Sequence, residues 1–366
     1  MKFNIIRENF LKNFYQLSLL TNINNIYIYN NILLKIKNNI LSIINANQDM
    51  EIISKIKLYE KNINGNITVS TNNFINIFKT LPKQSNILVE LKKNLLIIKY
   101  KQIKFRLSTL PACNFPNTDK WIIKNKLEFT LNQNILKKLI ENIYFAMSNN
   151  NFEYSLNGVF LEIKKNIVQC TASDGYRLSI STFNINEELP FCSIIIPKKS
   201  IIEIIKFLKD KNIKLEIGKN NIRMHSKNFI FTSKLINGNY PNYKNLLKNQ
   251  KGSKFEINSD NFKEALKRVS ILISEKFNII YLTLSNNTLK IKTQKPPKEV
   301  AEEIIKINYK GPKIKIGINI NYILPILNFL KKKNINILIK NLDNSIQITY
   351  INKTIEYLHI IMPVII

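Results

Sequence analysis

The chain repeats itself three times, at a period too long for a stack of small repeats. Phe78-Lys-Thr-Leu-Pro82, Phe207-Leu-Lys-Asp210 and Phe329-Leu-Lys-Lys332 each end an apolar run with helical spacing, and strand-like segments follow each one. Those segments finish at Phe115-Pro116-Asn117, Tyr240-Pro241-Asn242 and Met362-Pro363, so the prolines stand 125 and 122 positions apart. Asn9-Phe10, Asn134-Ile135 and Asn261-Phe262 open helix-like runs 125 and 127 positions apart. Stacked repeats have periods of roughly 20–50 residues. A unit of about 124 residues is the size of a whole domain, and three similar domains suggest an arc or a ring.

Each third reads as strand, helix, several strands, and then the same again. In the first third, Lys2–Ile6 is a strand and Glu8–Leu20 is helical, with Phe10, Leu11, Phe14, Leu17 and Leu20 on one face. Ile32–Ile36, Ile40–Asn45, Glu51–Leu58 and Asn66–Ser70 read as strands, and Thr71 or Asn72 can cap a helix over Asn73–Leu81. Asn86–Leu91, Leu95–Lys101 and Lys104–Thr109 form a meander. Further helices are expected over Gln133–Ala146, Lys199–Leu208, Ser259–Ile273 and Asn321–Lys332. Pro325 costs little if Asn321 is the N-cap. The expected class is therefore α+β: three similar domains at 1–120, 127–246 and 254–366, each a doubled β-α-β-β-β unit. If the domains curve with helices inside, the Lys- and Asn-bearing helix faces line a basic concave surface. Open strand edges are then best closed by pairing between two copies.

Composition excludes several classes. The net charge is +30, from 55 basic and 25 acidic residues, and only five of the basic residues are Arg. A polyanion partner such as nucleic acid explains that balance. So does drift toward Asn, Ile and Lys, because the lysines are spread along the chain. Cys113, Cys170 and Cys192 fit neither a metal nor a disulfide pattern and read as buried free thiols in a reducing cytoplasm. No stretch reaches the ~18 apolar residues of a membrane span, and no signal peptide is expected at the N-terminus.

The chain shows no catalytic constellation. His225 and His359, the only histidines, lack ligand spacing, and no phosphate loop or dinucleotide fingerprint is present. An enzyme is the weaker reading, and no cofactor or metal is expected. Asp174-Gly175 is first a turn signal. Arg177 is either half of a structural ion pair or a contact to DNA or a partner. Glu299, Glu302 and Glu303 form either a solvated face or a patch complementary to Lys101, Lys104 and Arg106 of a second copy. The apolar end from Tyr357 to Ile366 reads as a last core strand followed by the wall of a binding groove.

Several stretches carry a family likeness: Phe105–Asn117, Leu156-Asn-Gly158, Ser173–Leu178, Asn220-Asn-Ile-Arg223, Phe229–Leu235, Ser274-Glu-Lys-Phe277 and Met362-Pro363. Together they resemble the bacterial sliding clamps, the β subunits of DNA polymerase III, over the full length. The resemblance implies a homodimeric ring of six similar domains, with helices facing duplex DNA. Such a ring tethers the replicative polymerase without catalysing anything. It also implies docking by a clamp loader and by repair and translesion polymerases. The family's groove for short apolar peptides maps to Leu156, Ser173, Gly175, Tyr176, Arg177, Leu178, Pro241, Leu246, Tyr322, Ser345, Ile360, Met362, Pro363 and Val364, with Arg177 and Ser345 orienting the peptide. Asn245 and Ile365 stand at rim positions where many members carry arginine. The ring contact maps to Phe105 and Leu107 against Ile271 and Leu272, flanked by Lys104 and Arg106 on one side and Glu299, Glu302 and Glu303 on the other. DNA contacts map to Asn24, Asn150, Tyr154, Lys198 and Lys199. Three rivals remain: a basic nucleic-acid-binding protein that does not encircle DNA; a hydrolase or nuclease, which would need clustered carboxylates or metal ligands that the sequence does not show; and a clamp that folds but serves fewer partners.

Overall fold

A computed structural model describes residues 1–14, 30–116, 127–149, 153–209, 211–248, 251–273, 278–295, 299–330, 333–340 and 345–364. The described chain forms two compact units: residues 1–137 with 199–235, and residues 138–198 with 236–366.

The first unit is built on one antiparallel sheet of twelve strands. It contains β1 (Lys2–Ile6), β2 (Asn31–Lys37), β3 (Ile40–Ala46), β4 (Met50–Lys57), β5 (Gly65–Ser70), β6 (Asn86–Lys92), β7 (Leu95–Tyr100), β8 (Ile103–Leu110), β9 (Leu127–Asn132), β12 (Asn212–Ile217), β13 (Asn221–His225) and β14 (Phe229–Lys234). The join between its two halves is the pairing of β4 with β14, where Ile52 faces Phe231. Helices α1 (Arg7–Phe14) and α2 (Thr71–Thr80) turn one apolar stripe each onto the sheet. Phe10, Phe74 and Phe78 meet there, with centroids 4.1 to 5.2 Å apart, and all three are fully buried. Each contributes of order 2–3 kcal/mol of apolar burial. Helix α4 (Lys198–Phe207) repeats the device with Phe207 against Phe229 and Phe231.

The second unit holds two sheets. One has six strands in the order β10 (Gly158–Ser173), β11 (Arg177–Pro197), β22 (Ile355–Ile361), β21 (Ile346–Asn352), β20 (Asn334–Lys340) and β15 (Gly252–Asn258). The other has four, in the order β18 (Glu299–Lys306), β17 (Thr288–Lys295), β16 (Ile279–Ser285) and β19 (Ile314–Asn319). Helices α6 (Ser259–Ser270) and α7 (Ile320–Phe329) accompany them, as does the short α5 (Lys244–Lys248).

Helix, strand and order agree with the doubled β-α-β-β-β expectation, apart from two mergers. β10 runs 16 residues with register shifts between Ile163 and Ile167, and β11 runs 21 residues. Each joins two expected strands into one, because the bulge bends β10 without ending its pairing.

The helix ends differ more. Helix α2 starts at Thr71 with Ser70 at the cap position and no side-chain cap bond, so neither Thr71 nor Asn72 is the cap. Asn319, not Asn321, caps α7, accepting from Asn321 N at 2.9 Å. Pro325 therefore lies inside the helix rather than in its first turn. The expected helix over Gln133–Ala146 is α3 (Gln133–Glu141) followed by a separate 3₁₀ turn at Tyr144–Ala146. The third repeat is out of step with the others: Phe329 is 41% exposed, and its neighbour Leu330 takes the core position. The rest of the expected helix beyond Phe14 and the Ser274–Phe277 stretch lie outside the described residues.

Candidate partner groove and strand edges

The residues Ser173–Leu178 form a turn whose geometry follows from Asp174-Gly175. Gly175 adopts φ +90°, which L side chains rarely tolerate. Asp174 Oδ1 accepts from the backbone N–H of Tyr176 at 3.0 Å and of Arg177 at 3.1 Å, and Ser173 Oγ donates to Arg177 O at 2.7 Å. The turn ends β10 and starts β11, so its side chains stand at one end of the six-stranded sheet.

Arg177 is spent inside this unit. Its Nε donates to Asp174 Oδ2 at 3.0 Å, Nη1 to Asn321 O at 3.2 Å and Nη2 to Phe145 O at 2.6 Å. Its guanidinium lies 4.9 Å from the Tyr322 ring and 5.5 Å from that of Phe145. Asn321 lies four residues before Pro325, which has no N–H, so the carbonyl left open by the proline receives the arginine instead. Of the two sequence readings, a structural ion pair and a contact residue, the geometry shows the ion pair.

Around the turn, Leu178 sits opposite Ile360 in register, Met362 N donates to Tyr176 O at 2.9 Å, and Tyr176 stacks on Tyr322 at 6.4 Å. Beyond β22, Val364 forms a lone bridge with Gly317, so the apolar C-terminal segment leaves the ladder at Met362, as expected. Leu178, Ile180, Tyr243 and Ile360 form one buried cluster, with Phe160, Tyr240, Leu247 and Leu358 packed against it. The Tyr243 hydroxyl reaches Gln169 at 2.7 Å and Thr171 at 3.2 Å. Burial raises the pKa of both Tyr240 and Tyr243.

Tyr176 is 65% exposed and Leu246 36%, while Pro241, Tyr322, Met362, Pro363 and Val364 are half-buried. Leu156 and Ser345 are buried, so the sequence mapping mixes surface and buried positions. The sequence mapping did not name Phe160, Ile180, Tyr243, Leu247 and Leu358, which belong to this cluster or pack against it. The alternation along β11 and β22 carried that signal, since 178, 180, 358 and 360 share one face. Ile365 lies outside the described residues, and Asn245 is exposed on α5.

Among the strands that keep an open edge, β8 and β18 match each other. β8 pairs fully with β7 but meets β5 only at Thr109 and Leu110, which leaves Ile103–Ser108 unpaired on that side. β18 ends the four-stranded sheet. Both are eight residues long and alternate between exposed and half-buried positions in the same way. β8 carries Lys104 and Arg106 exposed, with Phe105 and Leu107 half-buried. β18 exposes Val300 at 46% and Ile304 at 58%. Ile271, at the end of α6, is 80% exposed, with half-buried Leu272 beside it. The acidic residues of β18 are engaged within the unit. Arg268 grips Glu303 at 2.6 and 3.0 Å, and that bond holds the carboxyl below the usual range. Lys290 meets Glu302 at 2.5 Å.

Of the expected DNA contacts, Tyr154 is 69% exposed and Lys199 is exposed. The Lys198 amine rests on Ser148 O and Asn149 Oδ1, and burial and then Arg177 lower its pKa. Asn24 and Asn150 lie outside the described residues. Among the described residues no cluster of three or more His, Cys, Asp or Glu is placed to hold a metal, and no helix is long and apolar enough to cross a membrane. All three cysteines are free thiols, but against expectation Cys113 is exposed and Cys192 half-buried, because Cys113 lies in the turn after β8 and Cys192 on a partly exposed stretch of β11. Cys170 is buried, and burial pushes its thiol up to about 12, far from a nucleophile's range.

Comparison with known proteins decides the family. Models of the DNA polymerase III beta subunit match along the whole chain: the N-terminal domain at residues 1–119, the central domain at 130–242 and the C-terminal domain at 244–364. The chain belongs to the DNA polymerase III beta subunit family. Among its relatives, the beta sliding clamp of Escherichia coli (strain K12) is 36% identical over 351 residues, 95% of each chain. That of Proteus mirabilis is 37% identical over 352 residues, again 95% of each. A crystal structure of the DNA polymerase III subunit beta from Pseudomonas aeruginosa matches with a TM-score of 0.94 at 28% identity, covering 100% of both chains. Membership in this beta subunit family agrees with the absence of a catalytic constellation in the sequence.

Proposed function

We propose that the chain is a DNA sliding clamp, a non-catalytic subunit that holds a DNA polymerase on its template. Two copies close head to tail into a ring of six similar domains, three per chain at 1–120, 127–246 and 254–366, with helices toward duplex DNA. The observation that carries the ring is the pair of open edges, β8 and β18, equal in length and matched in exposure pattern. An unpaired edge is a liability in a solitary protein, and one β8–β18 contact repeated twice by a two-fold axis pairs these edges in both copies. Phe105 and Leu107 then meet Ile271 and Leu272, and basic Lys104 and Arg106 approach the acid-bearing strand, with Glu299, Glu302 and Glu303.

The apolar cluster beneath Leu178 and Ile360 is the floor on which partners dock through short, extended apolar peptides. Those partners are the replicative polymerase, the clamp loader and repair polymerases, all in the cytoplasm. Its walls are Leu246, Tyr176, Tyr322 and the segment Met362-Pro363-Val364, over buried Leu156 and Ser345. DNA is held without base readout, through Lys199, Tyr154 and the general positive charge, joined by Lys198, Asn24 and Asn150.

Retention after loading on circular and on linearised DNA at moderate salt tests this reading. Retention on circles with loss from free ends is expected. Equal retention on both substrates overturns the ring.

A further inference from the structure

Among the described residues Lys340 is the one lysine shut away from solvent, at 3% exposure. The other lysines whose side-chain burial is described remain at least partly in water, as long cationic side chains ordinarily do. A buried ammonium is costly unless it finds an acceptor. Lys340 finds one across 94 residues of sequence: its Nζ donates to the backbone carbonyl of Leu246.

That carbonyl belongs to α5, which has only five residues and cannot stand alone. Its N-terminal side is well seated. Asn242 Oδ1 accepts from Lys244 N at 3.1 Å, Tyr243 is anchored on Gln169 and Thr171, and Lys244 Nζ lies 3.6 Å from Glu162. The C-terminal side is where a helix leaves its carbonyls open. A cation there completes an open carbonyl and complements the helix dipole. Leu246 itself is 36% exposed, so part of its side chain faces outward.

We propose that Lys340 is a positioning residue for partner recognition. By holding the Leu246 carbonyl, it sets where the Leu246 side chain stands as a wall of the groove, and so sets affinity for an extended apolar peptide without touching that peptide. The peptide part rests on the groove assigned above, whereas the tether itself does not.

The test uses the full-length dimer with Lys340→Met, Lys340→Arg, Leu246→Ala and the double variant Lys340→Met/Leu246→Ala. The probe is a fluorescein-labelled hexapeptide, Ser-Leu-Ser-Leu-Leu-Phe, titrated by anisotropy. Backbone hydrogen exchange is read over residues 242–248, and dimer mass and melting temperature check the fold. Lys340→Met should raise exchange at α5 and weaken probe binding about 5- to 20-fold, the range of a coupled side-chain contact. Lys340→Arg, which keeps a cationic donor, should recover most of the affinity. The double variant should bind as Leu246→Ala alone does, because the lysine acts through that leucine. Unchanged exchange in Lys340→Met overturns the tether. Raised exchange with unchanged probe affinity, or a double variant weaker by the product of the two single effects, overturns the positioning role. A parent chain that fails to bind the probe overturns the groove assignment and the role in recognition with it, while the exchange result still decides the tether.

Discussion

At the scale of single residues, the polar side chains inside the second unit do the organising. Arg177 satisfies three acceptors on three separate segments, and its side chain is 13% exposed. Arg177→Lys keeps the charge but gives up the planar fork and leaves at least one carbonyl unpaired. A loss of about 1–3 kcal/mol in denaturant unfolding is expected, in spite of the conserved charge. His359 offers a pH test. It is buried against Ser179 Oγ at 2.9 Å, its Nε2 has no hydrogen-bond partner among the described residues, and burial lowers its pKa from 6.5 to about 3. The folded state keeps the ring neutral while the unfolded state binds a proton below pH 6.5. Stability should therefore fall as pH drops from about 6.5 toward 3, by up to about 1.4 kcal/mol per pH unit. His359→Gln should flatten that slope in urea melts taken across the range. Only the ion pair of Arg177 was legible beforehand, as one of two readings. The scarcity of Arg and His flagged both residues, but Phe145, Asn321 and Ser179 reach them only through tertiary packing.

At the scale of elements, helices and strands were legible because apolar periodicity is a local signal. Phe10, Phe74 and Phe78 point inward as their spacing implies. The element ends were not, because caps and bulges depend on a few backbone angles. The Asn319 cap and the merged β10 and β11 are cases of this. Edges are an element property too, since a sequence shows a strand but not whether its far side is paired. β18 exposes Val300 and Ile304 on an edge whose own sheet needs neither. Val300→Lys with Ile304→Lys should split the dimer, seen as a halved mass by light scattering. The melting temperature of the resulting monomer should differ little from that of an Ile271→Ala/Leu272→Ala monomer. An intact dimer in both double variants would place the contact elsewhere.

At the scale of the molecule, the three-fold internal repeat was visible in spacing alone, and it limited the fold more than any motif did. The charge stayed ambiguous because a count of lysines does not say which of them face a partner. Salt separates the two explanations. If the +30 charge holds DNA directly, neutralising about six phosphates makes affinity fall about a thousandfold between 50 and 200 mM salt. A closed ring escapes only by opening or by reaching an end, and neither step requires the lysines to leave every phosphate at once. Retention on loaded circles should therefore change by less than about threefold over the same salt range, while binding to linear DNA falls steeply. Parallel loss on both substrates would mean that charge holds the protein and that the ring, if it forms, does not stay closed. A flat response on circles would instead mark most of the lysines as a product of composition, free to vary so long as the two edges still meet.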